Sequence, residues 1–199
     1  MKIFVLGKCD EAFVCFEKCL AADPQNEHAE NNKCLTVNYM ESLTPVEVER
    51  HHMEYGETVC KLMPPPFRSW LVDKTASKRP LRIGYVSPDL MVHSVSYFIH
   101  SVLNCHDPSR FEVYVYAQVL REDWKTEMFK QLVPQSRWRS IIHNGVPLGD
   151  QQVANMIRND QIDILIDLTG HCSNNRLKTM ALKPAPIIVG MIGYPNITG

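Results

Sequence analysis

The sequence predicts an α/β protein: a Rossmann-like layer with a parallel sheet and flanking helices, preceded by an all-helical segment. Two patterns carry this reading. After Pro80, short apolar runs at 81–87, 111–117, 138–142, 162–168 and 186–192 alternate with helical stretches near 94–104, 123–133, 149–160 and 173–182. Such alternation is the signature of βαβ units, and right-handed crossovers wind them into a parallel sheet covered on both faces. Before Pro80 the periodicity is helical throughout and ends at Met63-Pro64-Pro65-Pro66. At 199 residues and 45% hydrophobic content, the chain can bury a full core and something smaller beside it.

In chain order, Gly7, Ala12, Phe16, Leu20 and Pro24 fall at the spacing of the second half of a tetratricopeptide repeat. Gly7 belongs to the turn between paired helices, Ala12 permits close helix approach, Phe16 and Leu20 face a neighbouring helix, and Pro24 ends the repeat. A lone repeat cannot bury its own face, so this helix needs a longer array or the next segment to pack on. Residues 27–62 predict two helices, one from Glu27 to about Met40. Thr44, Pro45 and Glu47 then form a cap, a first-turn proline and a capping-box partner for a second helix ending near Leu62. His51 and His52 are adjacent, point to different faces and read as surface residues. The polar stretch to Pro80, with Lys74, Lys78 and Arg79, reads as a linker and boundary. The expected divisions are therefore 1–26, a repeat remnant; 27–79, a helical linker segment; and 80–199, the Rossmann-like unit.

Composition excludes several function classes. A net charge of -1 and a pI near 6.7 give no electrostatic case for nucleic acid or an anionic membrane. No apolar run approaches the ~20 residues needed to span a bilayer, and the apolar start at residues 1–6 is too short for a signal peptide. The chain reads as soluble and intracellular. Seven Cys at irregular spacing, without C-x-x-C, argue against a disulfide framework or a zinc site. Reduced thiols are the simplest reading.

The first strand, its loop and the following helix concentrate the candidate chemistry. Ligands of open α/β sheets bind outside the carboxyl ends of strands, and His93 lies there, just before a helix. An imidazole in such a place can act as a base near neutral pH, or it can merely cap the helix. No G-x-G-x-x-G follows the strand and no G-x-x-x-x-G-K-[ST] occurs, so the phosphate-cradling loops of self-contained dinucleotide or NTP enzymes are missing. Gly170 makes the exit from the strand near 162–168, and His171, Ser173, Asn174 and Asn175 are expected on the same sheet edge as His93. Asn174 or Asn175 can equally cap the next helix. Gly193-Tyr194-Pro195-Asn196 forms a rigid turn there, either against a ligand or as a simple connection. His100 and His106 read as surface residues, and no metal site follows from His93, His100 and His106, which would span roughly 20 Å of helix.

These strings resemble a known family. Residues 81–89 (LRIGYVSPD) with 93–98 (HSVSYF), then 162–165, 168–171 (LTGH), 174–177, 179–181, 184–186 and 192–199 (IGYPNITG), are similar to the catalytic region of the nucleocytoplasmic protein O-glycosyltransferases, glycosyltransferase family 41. That family comprises the O-linked N-acetylglucosamine transferases and the SPINDLY type, and the HSVSYF and LTGH strings sit nearer the latter. Residues 80–199 carry the match; residues 7–26 fit the end of the family's repeat array.

The resemblance implies a GT-B fold of two Rossmann-like halves, of which this is the amino-terminal, acceptor-side half. It implies His93 as the active-site histidine, contacting the sugar–phosphate region and proposed as a base. Asp89, Ser94, His171, Asn174, Ile192, Gly193, Tyr194 and Pro195 are implied as substrate contacts. The implied reaction is inverting transfer of fucose from GDP-fucose, or N-acetylglucosamine from UDP-N-acetylglucosamine, to Ser or Thr of nuclear and cytosolic proteins, linked to gibberellin signalling. It requires no cofactor and no obligatory metal, and the expected partners include no nucleic acid and no membrane. Met91 and Val92 stand where the family carries more polar residues. The donor-binding half, with its phosphate-neutralising Lys, lies outside these residues, so the 199-residue chain alone is expected not to turn over. The alternative is a non-catalytic module that associates with a full-length homologue.

Overall fold

The computed structural model describes residues 7–70 and 79–199. The expectations placed on residues 1–6 and on Lys74 and Lys78 of the linker lie outside the described residues.

Three helices come first: α1 (Cys9–Ala22), α2 (Glu27–Val37) and α3 (Pro45–Leu62). Ala12 is buried where α1 meets its neighbours, and Asn26 caps α2 by accepting the Ala29 N–H at 3.0 Å. Helix α2 ends three residues before the expected Met40. The side chain of its C-cap, Asn38, folds back onto the Cys34 and Leu35 carbonyls, supplying partners for carbonyls a helix end would leave open. The capping box of α3 forms as expected: Thr44 Oγ1 accepts the Glu47 N–H and Glu47 Oε2 accepts the Thr44 N–H at 2.8 Å.

The surface expectation for His52 is overturned, and the His51 side chain is only 13% exposed. His52 is 0% exposed, because α3 is packed on two sides. Side chains one position apart diverge by about 100° on a helix, so His51 turns edge-on to Phe13 of α1 while His52 turns to the α/β layer. His52, Tyr55 and Val59 form the buried stripe, and a small core of Cys34, Tyr55, Val59 and Leu177 joins the helices to that layer.

The layer is built from β1 (Leu81–Ser87), α4 (Ser94–Asn104), β2 (Phe111–Ala117), α5 (Trp124–Gln131), β3 (Trp138–Ser140), β4 (Ile142–His143), β5 (Val146–Pro147), α6 (Asp150–Asn159), β6 (Ile164–Asp167), α7 (Leu177–Ala181) and β7 (Ile187–Gly190). Five strands pair in the order β3-β2-β1-β6-β7, every pair parallel. Alternate side chains of β1 and β2 feed two cores. Ile83, Tyr85, Val113 and Val115 pack with Leu90, Val95, Ile99 and Phe129 on one face. Val86 and Tyr116 pack with Ile141, Val153, Ile157 and Leu165 on the other. At the amino end, Arg79 donates two bonds to Asp163, at 2.8 and 3.0 Å, and Asp163 also accepts the Arg82 N–H. His106, expected at the surface, is half-buried and bonded to the Tyr85 hydroxyl at 2.7 Å.

Several elements are shorter than expected; β6 and β7 keep four residues each of the runs at 162–168 and 186–192. The run at 138–142 splits because residues 142–143 pair antiparallel with 146–147 around Asn144-Gly145, both at positive φ, the signature of a tight hairpin. The run at 173–182 keeps only five helical residues, since Asn174 adopts φ 60°.

Candidate active site

Strands β1 and β6 are neighbours, yet the chain leaves β1 toward β2 on one side and β6 toward β7 on the other. Their carboxyl ends bound the crevice in which open α/β sheets bind ligands.

The β1 side is a loop pinned at several points. Ser87 Oγ accepts the Asp89 N–H at 2.9 Å, and Asp123, itself the cap of α5, accepts the Val92 N–H at 2.7 Å. His93 is the N-cap of α4. Its Nδ1 accepts the Val95 N–H at 3.3 Å and its carbonyl accepts the Ser96 hydroxyl at 2.7 Å. Asp89 Oδ2 lies 3.8 Å from the same Nδ1. Burial pushes the Asp89 carboxyl up, and His93 pulls it partly back. Capping fixes the tautomer: a neutral His93 that uses its Nδ1 lone pair on Val95 carries its proton at Nε2 and offers a donor there. Capping and chemistry, alternatives in the sequence, thus coexist. Ser94 is exposed beside it.

The β6 side is a loop folded around Asp167, whose carboxylate accepts the Thr169 and Gly170 N–H groups at 3.0 and 2.9 Å. Burial pushes the Asp167 carboxyl up, against those two bonds. The turn after β7 presses on this loop. A Cβ on Gly193 would stand 1.8 Å from the Leu168 carbonyl oxygen, and one on Gly170 would stand 2.2 Å from Tyr194 Cβ. Only glycine permits that approach. Cys172, unassigned from sequence, joins the parts: its thiol donates to the Gly193 carbonyl at 3.2 Å, and burial, then Asp89 and Asp167, push its pKa up. Ile192 holds φ 66° with 42% of its surface exposed, an outlier for a β-branched residue.

The expected substrate contacts therefore separate into groups. Asp89, His93 and Ser94 stand together after β1. Ile192, Gly193 and Pro195 stand in the turn against the β6 loop, with Ile192 and Pro195 exposed. Asn174 reaches the β2 end through its carbonyl, which accepts from Gln118 Nε2 at 3.3 Å. His171 and Tyr194 differ from the expected sheet-edge placement. The His171 ring is 2% exposed, wedged among Tyr55, His52 and Tyr194, and its Nε2 bonds the Thr198 carbonyl at 3.1 Å. Desolvation, aided by His52, lowers its pKa to about 4. The Tyr194 hydroxyl points to Cys34, Asn38 and His52. Sequence reasoning could not find that contact, because it joins residues about 160 positions apart. Among the described residues, no group of three or more His, Cys, Asp or Glu side chains could hold a metal ion, and no helix is long and apolar enough to cross a membrane.

A parallel layer with an Asp–His pair at its switch point and helices packed against its β6 and β7 loops defines a Rossmann-like α/β unit with a ligand crevice at its carboxyl edge. The chain belongs to glycosyl transferase family 41, whose family profile matches residues 46–199. It is similar to proteins described as probable UDP-N-acetylglucosamine–peptide N-acetylglucosaminyltransferase SPINDLY. The rice protein is 45% identical over 92% of this chain, and the Arabidopsis thaliana protein 40% identical over 89%. Among solved structures, an O-GlcNAc transferase mutant of Thermobaculum terrenum matches with a TM-score of 0.86 at 30% identity, covering 98% of this chain and 36% of that one. The chain spans 19% of the length of each of those two plant relatives.

Proposed function

We propose that these residues form the acceptor-side half of a SPINDLY-type protein O-glycosyltransferase that moves fucose or N-acetylglucosamine from GDP-fucose or UDP-N-acetylglucosamine to Ser or Thr hydroxyls. Its acceptors are nuclear and cytosolic proteins, and its output is linked to gibberellin signalling. The observation that carries the reading is His93 at the switch point, held by α4 with Asp89 beside it, in a family 41 chain. In the transfer, the acceptor oxygen bonds the anomeric carbon as the carbon–phosphate oxygen bond breaks; the nucleotide diphosphate leaves with the electron pair, and one of its oxygens takes the acceptor hydroxyl's proton. With Nδ1 engaged by Val95, His93 contributes as an Nε2–H donor to the oxygens of the departing diphosphate. Proton uptake at Nε2 requires the other tautomer, with Nδ1–H turned to Asp89. Asp89, Ser94, Asn174 and the turn at Ile192, Gly193 and Pro195 shape the sugar side, without a cofactor.

The 199 residues alone are expected not to turn over, since the resemblance places the phosphate-neutralising Lys in a donor-binding half outside them. A second reading, association with a full-length homologue, is favoured by Tyr97, Phe98 and Trp124, exposed at 67%, 64% and 63% on α4 and α5.

The test is transfer by the longer protein that contains this region, with His93→Ala and His93→Gln. Loss of about 100-fold in Ala, with partial recovery in Gln, which keeps an N–H, supports a donor. Equal loss in both refutes the donor role, and unchanged activity in both refutes the site. Calorimetry of GDP, GDP-fucose and UDP-N-acetylglucosamine against the 199-residue chain is expected to show no tight binding.

A further inference from the structure

The turn after β7 is clamped from two sides. Its inner face meets the β6 loop through Gly193, as described above. Its outer face meets the helices, and the Tyr194 hydroxyl is engaged there alone. That oxygen has one proton and two lone pairs. Asn38 Nδ2 donates to it at 2.7 Å, the Cys34 carbonyl lies 2.9 Å away, and His52 Nε2 lies 2.6 Å away. His52 Nδ1 faces the Val48 carbonyl at 2.7 Å and so carries a proton. In a neutral ring Nε2 is then an acceptor. The single Tyr194 proton is shared between two acceptors, the Cys34 carbonyl and His52 Nε2, while Asn38 Nδ2 donates to the Tyr194 hydroxyl and lies 3.0 Å from the Cys34 carbonyl. Farther along, Asn196 Nδ2 donates to Asn38 Oδ1 at 2.8 Å. The backbone of Gly199 then crosses α3 at Gly56, where a Cβ would stand 2.4 Å from the Gly199 carbonyl carbon.

Between these clamps sits Ile192 at φ 66°. A β-branched residue stays in that region only where its surroundings over-determine it. The inner face holds the turn through the Met191 N–H on the Asp167 carbonyl, the Cys172 thiol on the Gly193 carbonyl and the close approach at Gly193, and the outer face adds the Tyr194 hydroxyl bonds. We propose that Asn38 and His52 are positioning residues for the Ile192–Pro195 turn, acting through the Tyr194 hydroxyl. The helical segment thereby sets the shape of one wall of the candidate sugar site. That consequence rests on the proposed function; the coupling does not.

The test uses the 199-residue chain and requires no glycosyl transfer, so its outcome is separate from that of the proposed activity. Tyr194→Phe removes one oxygen and keeps the ring. The Met191 and Gly193 amides, bonded to the Asp167 and Met191 carbonyls, are expected to exchange about tenfold faster, the scale of one lost hydrogen bond. Amides of β1 and β2 are expected to keep their rates. The Ile192 13Cα shift and HN–Hα coupling are expected to move away from positive-φ values. Asn38→Ala, at a half-buried position that tolerates truncation, gives the same response, and the double variant adds nothing further. Unchanged exchange and an unchanged Ile192 signature in Tyr194→Phe, or fully additive effects in the double variant, overturn the proposal.

Discussion

Acidification should weaken the junction of helices and sheet at His171, by an amount the structure sets. The ring is buried among Tyr55, His52 and Tyr194, with the Thr198 carbonyl on Nε2 and no partner for Nδ1. Its pKa falls from 6.5 to about 4. The unfolded chain therefore binds this proton first, and stability is present above pH 6.5 and lost as the pH falls toward 4. At ~1.4 kcal/mol per pH decade the full loss is about 3 kcal/mol, of which about 1.4 kcal/mol is reached at pH 5.5. His52 and His51 are also lowered by burial and add loss of the same sign. Asp89, Asp167 and Glu30 are raised by burial and act in the opposite sense, their stability growing as pH falls through the carboxylate range. The assay is urea unfolding at pH 7.5 and 5.5 for wild type and His171→Gln, with m compared to confirm the same transition. The wild type should lose about 1.4 kcal/mol more than the variant. Equal losses, or a His171 NMR titration midpoint near 6.5, would refute the reasoning.

Two further predictions follow from the same turn. Gly193→Ala places a methyl into the Leu168 carbonyl oxygen and should cost at least 3 kcal/mol or prevent the turn from closing, read as a lowered urea midpoint. Ile192→Gly removes the side-chain penalty of positive φ and should stabilise by up to about 1 kcal/mol; a loss of stability would show that Ile192 is held by contacts rather than endured as strain.

The parts of the fold carried by local chemistry were legible in the sequence. The capping box at Thr44 and Glu47, the β1 and β2 runs and the parallel pairing of the strands followed from cap residues, strand runs and crossover rules, while the strand order did not. The split of the third run was also signalled, by Asn144-Gly145 two residues beyond its end, the dipeptide of a tight hairpin. What sequence could not give was the partner of α3. His52 and His51 are chemically identical neighbours, and only the position of residues 171–199 decides which is buried. Tyr194 shows the same limit: its motif pointed to the sugar site, while its hydroxyl serves the helices.

That long-range junction has a consequence for synthesis. The stripe of His52, Tyr55 and Val59 leaves the ribosome well before the residues that cover it, since Tyr194 follows Leu62, the end of α3, by about 130 positions. At ~5–20 residues per second, the three helices wait on the order of 10 s with their inner face uncovered. The nascent chain therefore offers chaperones a defined apolar surface that vanishes when the last turn seats.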